Sequence, residues 1–211
     1  NKGVVTILPE FVDPLLISLS IRGNVFFDPA RSGTPQDEVL SLIQVYTNNY
    51  LRNSFNVSFN FPVFSVGLSG LDEGIVGETL SVYMEKEVLY DGIPIQSVTI
   101  YFRNSLADSG GLPGTVIQTP EPFMRLDSDG LPQLVYLIDD GYGGLRLYDQ
   151  GSSEFIDEVG SVDYVNGRVQ LDQLGAIQNF IIEARPKTNT IIALGPNLLT
   201  TKDGGIELIV I

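Results

Sequence analysis

Leu15-Leu16-Ile17-Ser18-Leu19-Ser20-Ile21-Arg22-Gly23-Asn24-Val25-Phe26-Phe27 decides the fold class. Leu15, Ile17, Leu19, Ile21, Val25 and Phe27 fall on one side of an extended chain, and Ser18, Ser20, Arg22 and Asn24 on the other. A period of two marks a half-buried strand of an antiparallel or mixed sheet.

A helix start follows this strand. Thr34 is placed to cap it, Pro35 to occupy its first turn, and Asp37 and Glu38 to meet the positive end of its dipole. Val39, Leu40, Ile43, Tyr46, Tyr50 and Leu51 then recur at helical spacing and form one apolar stripe. Phe55, Val57, Phe59 and Phe61 alternate as far as Pro62, which fits a short extended piece or a second short helix. Gly70-Leu71-Asp72-Glu73-Gly74 reads as a turn. Ile75 to Val88 reads as a long strand, with Leu80, Val82 and Met84 on one face and Thr79, Ser81 and Tyr83 on the other. The fold class expected is an α+β N-terminal module (strand–helix–strand) over residues 1–90, followed by a mostly-β module with hairpins over residues 91–211.

In the second part, Ser97–Phe102, Leu134–Ile138, Leu145–Tyr148, Phe180–Ala184, Thr190–Leu194 and Ile206–Ile211 read as strands, and the Gly- and Pro-rich stretches between them as loops. Lys202-Asp203-Gly204-Gly205 reads as a separator before the last strand. Asn166-Gly167 is a type I′ hairpin signal. A two-residue loop there pairs Val162 with Leu171 and Tyr164 with Val169, and places all four on one face.

Composition narrows the chemistry. The 211 residues contain neither histidine nor cysteine. That removes the usual general base, the thiolate nucleophile, the Ser-His-Asp triad and the zinc, haem and iron–sulfur sites built on those ligands. Hydrophobic residues make up 43%, enough for a core, and the net charge of −14 repels phosphate backbones, so no nucleic-acid partner is expected. No stretch approaches the roughly 20 apolar residues of a membrane-spanning helix, and nothing reads as a signal peptide. The missing initiating Met and the strand-like Ile206–Ile211 lead us to expect an excised fragment.

Carboxylates, lysines and hydroxyls remain. Asp139-Asp140, Asp72-Glu73 and Asp127/Asp129 are the acidic candidates, and each lies beside glycine in a turn, where Asp serves local backbone hydrogen bonding. Asp127-Ser128-Asp129-Gly130 fails as an EF-hand loop, because its first and last ligand positions fall on Arg125 and Tyr136. Gly141-Tyr142-Gly143-Gly144 lies inside a hairpin rather than before a helix, so it is not a phosphate cradle. Asn56-Val57-Ser58 matches a glycosylation acceptor in pattern only. Lys86, Lys187 and Lys202 read as isolated, solvated cations. Tyr90, Tyr101, Phe102, Phe123, Tyr142 and Tyr148 divide between core and interface, where aromatics are enriched.

Leu15–Gly23, the Thr34-Pro35 helix, and Gly70–Ile75 leading into Leu80-Ser81-Val82-Tyr83-Met84-Glu85 together resemble the C-terminal region of baseplate wedge subunits of T-even-type contractile-tailed phages, in the baseplate J-like family. Gly160-Ser161-Val162-Asp163-Tyr164-Val165-Asn166-Gly167-Arg168-Val169 is similar to a hairpin of those proteins. The resemblance implies a structural virion protein of the viral tail, assembled in the host cytoplasm. Its implied partners are itself, as a homodimer, and neighbouring wedge proteins of the ring around the tail hub. It implies no enzyme activity, no cofactor and no catalytic or metal-ligating residues. The alternative is a calcium- or carbohydrate-binding β module of a fibre or adhesin using the acidic loops. A hydrolase with two carboxylates about 5–9 Å apart is a third reading.

Overall fold

The computed structural model describes residues 15–51, 54–55, 57–193 and 197–211. In chain order its elements are β1 (Leu15–Phe27), α1 (Gln36–Asn49), β2 (Ser54–Phe55), β3 (Ser58–Asn60), α2 (Phe61–Ser69), β4 (Ile75–Val88) and β5 (Ile95–Tyr101). They continue with β6 (Ile117–Gln118), β7 (Phe123–Leu126), β8 (Pro132–Asp139), β9 (Gly144–Asp149), β10 (Phe155–Asp163), β11 (Arg168–Ala176), β12 (Phe180–Ala184), β13 (Thr190–Ile192) and β14 (Asn197–Val210). The chain is mostly β, with a helix between strands near its start.

β1 lies between β14, which runs parallel to it, and β4, which runs antiparallel. β12 extends the sheet beyond β4, and β6 extends it beyond β12. Ile17, Leu19, Ile21, Val25 and Phe27 are at most 1% exposed, so the alternation in the sequence does mark the buried face of β1. α1 and α2 cover that face, contributing Val39, Ile43, Phe64 and Leu68, all fully buried. Phe64 is the hub of the helical layer, with its ring 5.2 Å from Tyr46, 5.1 Å from Tyr50 and 5.7 Å from Phe59. The Tyr46 hydroxyl donates to the Phe64 carbonyl at 3.1 Å, and burial pushes its pKa up to about 12.

β6 links this region to a closed barrel. β7, β8, β9, β10 and β11 pair in that order, and Ala176 of β11 returns to Arg125 of β7 to complete the ring. Val135, Leu137, Leu145, Leu147, Val169 and Leu171 are fully buried, so the interior is packed side chains rather than a channel.

Several expected boundaries move. The Asn166-Gly167 hairpin pairs Val162 with Val169 and Asp163 with Arg168, so its loop is Tyr164–Gly167 rather than two residues. The cause is Asp163, which accepts the Asn166 N–H at 3.1 Å and the Asn166 side-chain amide at 2.7 Å. That Asx turn absorbs two more residues. A shift of two preserves the face, so Val162, Val169 and Leu171 are buried as expected.

Lys202–Gly205 does not end a strand but lies within β14. The Asp203 carboxylate accepts the N–H groups of Gly205 and Ile206, each at 2.9 Å. The turn signal thus makes a bulge, and the register slips between Ile21, opposite Asp203, and Gly23, opposite Ile206.

Thr34 does not cap α1. Pro35 holds that position without a side-chain hydrogen bond, and the Thr34 N–H is occupied by Ser32 Oγ at 2.9 Å. The Phe55–Phe61 stretch becomes β3 followed directly by α2, whose cap is Asn60, accepting the Val63 N–H at 3.4 Å. The short strands β6 and β7 fall between the stretches read as loops, Ala107–Gly114, Thr119–Pro122 and Asp127–Gly130, where the sequence reading assigns no element. Asn56, Leu194 and the first 14 residues lie outside the described residues.

Gly23 has φ +131°, and a Cβ there would stand 2.1 Å from the Thr79 carbonyl oxygen. Both the dihedral and the approach of β4 require glycine. Gly23→Ala is expected to lower stability by about 1–3 kcal/mol, measured as a shift in the urea midpoint; an unchanged midpoint would show that β4 can yield without cost.

Candidate functional site

The second face of the β14–β1–β4–β12 sheet carries a charged network over a groove. Successive residues of a strand point to opposite faces, so the partners of the buried rows, Ser20 and Arg22 on β1, Glu85 on β4, Glu183 on β12 and Lys202 on β14, project together. Register aligns them: Glu85 lies opposite both Ser18 and Glu183, and Ser20 lies opposite Lys202.

Glu85 and Glu183 are 4% and 1% exposed. Two carboxylates directly opposite each other repel unless compensated. Arg22 compensates both, at 3.1 Å from Glu85 Oε1 and 2.6 Å from Glu183 Oε2. Lys202 Nζ takes the other Glu85 oxygen at 2.5 Å, and the Gln118 side-chain amide donates to the other Glu183 oxygen. Arg22 Nε donates to Ser20 Oγ at 3.2 Å, and its guanidinium lies 5.0 Å from the centre of the Tyr83 ring. Every carboxylate oxygen of the pair therefore has a cationic or amide donor, and the cluster joins β14, β1, β4, β12 and β6. Gly204 makes room for it, since a Cβ there would stand 2.0 Å from Ser20 Oγ and 2.8 Å from Arg22 Cγ.

Two cavities, of about 460 and 430 Å³, open over this face and share Glu85, Glu87, Ile181 and Lys202. Glu85, the buried carboxylate lining both, is already paired with Arg22 and Lys202. The arrangement holds charge in place; neither carboxylate is free to act as an acid or nucleophile.

The acidic candidates from the sequence are dispersed. Asp127 accepts the N–H groups of Asp129 and Leu131 at 2.9 and 2.8 Å, and Asp72 accepts that of Gly74 at 2.7 Å. Asp140 accepts Tyr142 and Gly144 at 2.8 and 2.9 Å. Burial acts to raise the Asp140 pKa, but these N–H donors and Arg146 outweigh it and hold the carboxyl below the ordinary range. Asp139 is not an exposed turn residue: it is fully buried and accepts Val116 N–H, Ile117 N–H and the Tyr164 hydroxyl at 3.2, 3.0 and 3.0 Å. Burial first, and Asp139 second, raise the Tyr164 pKa. Among the described residues no three carboxylates converge as a metal site.

The cations differ from one another. Lys187 is exposed, whereas Lys202 is paired and Lys86 is half-buried in the core-facing row of β4. Burial, reinforced by Arg103, pulls the Lys86 pKa down to about 8. Phe102 and Phe123 are core, while Tyr101 and Tyr142 are 45% and 84% exposed. No described helix is long and apolar enough to cross a membrane.

Arg22→Met is expected to cost about 3–5 kcal/mol in a denaturant titration, because it takes the shared cation from two buried carboxylates and leaves Glu183 with only an amide donor. Adding Glu183→Gln is expected to recover part of that loss; no recovery would mean that Arg22 acts through packing rather than charge. For Lys86 the unfolded amine holds its proton up to about pH 10.5 and the folded amine only up to about 8. The unfolded state thus binds more protons in that window, and stability rises with pH through it. Lys86→Met is expected to remove this rise and add about 1 kcal/mol at neutral pH, a figure reduced for partial exposure.

No family model matches this chain, and no curated protein sequence matches it.

Proposed function

We propose that this chain is a structural component of a contractile phage tail baseplate wedge, self-associating and binding neighbouring wedge subunits in the ring around the tail hub. In this reading the strand–helix–strand unit within residues 1–90 is the baseplate J-like module, and residues 91–211 form the mostly-β module. The protein is then a virion protein without catalytic chemistry.

The observation that carries the reading is the outer surface of the helical layer. α2, Phe61-Pro62-Val63-Phe64-Ser65-Val66-Gly67-Leu68-Ser69, contains no charged residue. Its Val63 and Val66 are 58% and 74% exposed, and on α1 Leu42 and Val45 are 41% and 60% exposed. A helix apolar on all sides belongs in an interior, and clustered exposed aliphatic residues mark contact surfaces. On a chain of net charge −14, an uncharged helix is a surface suited to burial against another subunit. Some of the residues on which the resemblance rests also supply the supporting frame, in β1, at the start of α1 and in β4, while Gly160–Val169 lies in the barrel hairpin β10–β11.

Light scattering over a concentration series tests this. We expect species heavier than one chain, with masses that do not respond to calcium. Val63→Asp combined with Val66→Asp is expected to shift the distribution to smaller species while the circular dichroism spectrum is retained. A chain that stays monomeric at every concentration would sink the reading, and a calcium-dependent mass would favour the binding-module alternative.

A further inference from the structure

Among the described residues Lys187 is exposed and Lys202 is paired, whereas Lys86 is half-buried with no hydrogen-bond or ion-pair partner for its amine. β4 carries Lys86 in one row with Met84 and Val88, 0% and 6% exposed, and opposite the fully buried Ile182 of β12.

A cavity of about 600 Å³ opens beside it, between the end of β4 and β5. Lys86 lines this cavity together with Val88, Leu89, Ile93, Ile95 and Val98. Leu89 and Ile93 are 68% and 70% exposed, so the apolar lining meets solvent and a small molecule can reach it. A concave apolar wall with a single reactive polar group set in it is the composition of a small-molecule site.

Two effects act on the amine. Burial disfavours its ammonium form, and Arg103, two residues beyond β5, opposes that form with like charge, so the pKa falls from 10.5 to about 8. A lysine in apolar surroundings next to another cation presents a nitrogen lone pair near neutral pH, and that lone pair attacks carbonyl carbon. An anion suits the cavity poorly. It requires the ammonium form, and Glu87 and Asp91 also line the cavity on a chain of net charge −14.

We infer that Lys86 and this cavity form a covalent capture site for an apolar aldehyde, held as an imine on Nζ. The Nζ lone pair bonds to the carbonyl carbon, and one N–H proton passes to the carbonyl oxygen to give a carbinolamine. The hydroxyl then leaves with the second N–H proton as water, and the C=N bond forms. One amine and one aldehyde give one imine and one water, with no oxidant, reductant or co-reactant. Water at the open side of the cavity relays the protons. The site is independent of the assembly role proposed above, which uses α1 and α2.

The test uses the whole chain near neutral pH with hexanal and cyanoborohydride, which reduces any imine to a stable secondary amine. Peptide mass spectrometry then locates the labelled lysines. Lys86 is expected to label about tenfold or more ahead of Lys187, and in concentrated urea the ratio is expected to fall to about one. Glycolaldehyde, which is small and polar, is expected to give a lower native ratio than hexanal. Leu89→Ser combined with Ile93→Ser trims two exposed wall residues. It is expected to slow hexanal labelling of Lys86 about threefold or more and to leave Lys187 unchanged. Lys187 labelled as fast as Lys86 overturns the site. A ratio that survives urea overturns the part played by the cavity, and one as high with glycolaldehyde as with hexanal overturns the apolar class of the ligand.

Discussion

The parallel pairing of β1 with β14 is the constraint on which the rest depends. It joins Leu15–Phe27 to Asn197–Val210, partners far apart in sequence, and so forces everything between to leave the sheet and return. Closing so long a loop carries a large entropic cost. The compensation is local: the inner row of β1 is dry against α1, α2 and the inner row of β14, where Leu199 and Ile206 are 0% and 5% exposed. Removing apolar area from water is the dominant favourable contribution, but it has no direction. Direction comes from the backbone ladders and from the Asp203 bulge opposite Ile21 and Gly23, which sets where the register slips.

The opposite face of the same sheet uses charge. Arg22, Lys202 and Gln118 occupy all four oxygens of Glu85 and Glu183, and those carboxylates are withdrawn from water. Such a cluster contributes little net stability over an apolar equivalent, since desolvation offsets most of the attraction. Its effect here is geometric. One guanidinium from β1 reaches across β4 to β12, so a slip of any of these strands would leave a buried carboxylate unpaired. Aliphatic packing on the helical face tolerates small displacements far better than this cluster does.

Function follows from what is left outside these two layers. The acidic loops serve their own turns, and Asp139 serves the barrel interior through Tyr164. Exposed apolar side chains lie on α1 and α2 and also on the barrel's loops, at Leu131, Tyr142 and Val165.

The sequence by itself determined the elements whose signals are local. The alternation of Leu15–Phe27, the stripe of α1, the faces of β4 and the facing of the Val162–Leu171 hairpin are each set by side-chain periodicity, which needs no distant partner. Absence of histidine and cysteine likewise bounded the chemistry before any coordinates. Tertiary structure decided the rest. Glu183 meets Arg22 only because β12 docks on β4, and nothing near either residue in the chain signals it. The four-residue hairpin loop and the bulge at Asp203 came from single carboxylates capturing backbone N–H groups, a choice between turn and bulge that composition does not make. β6 and β7 are strands because a barrel and a sheet edge were there to pair with them. Short segments have too little periodicity to declare a structure, and take the one their neighbours' unpaired backbone requires.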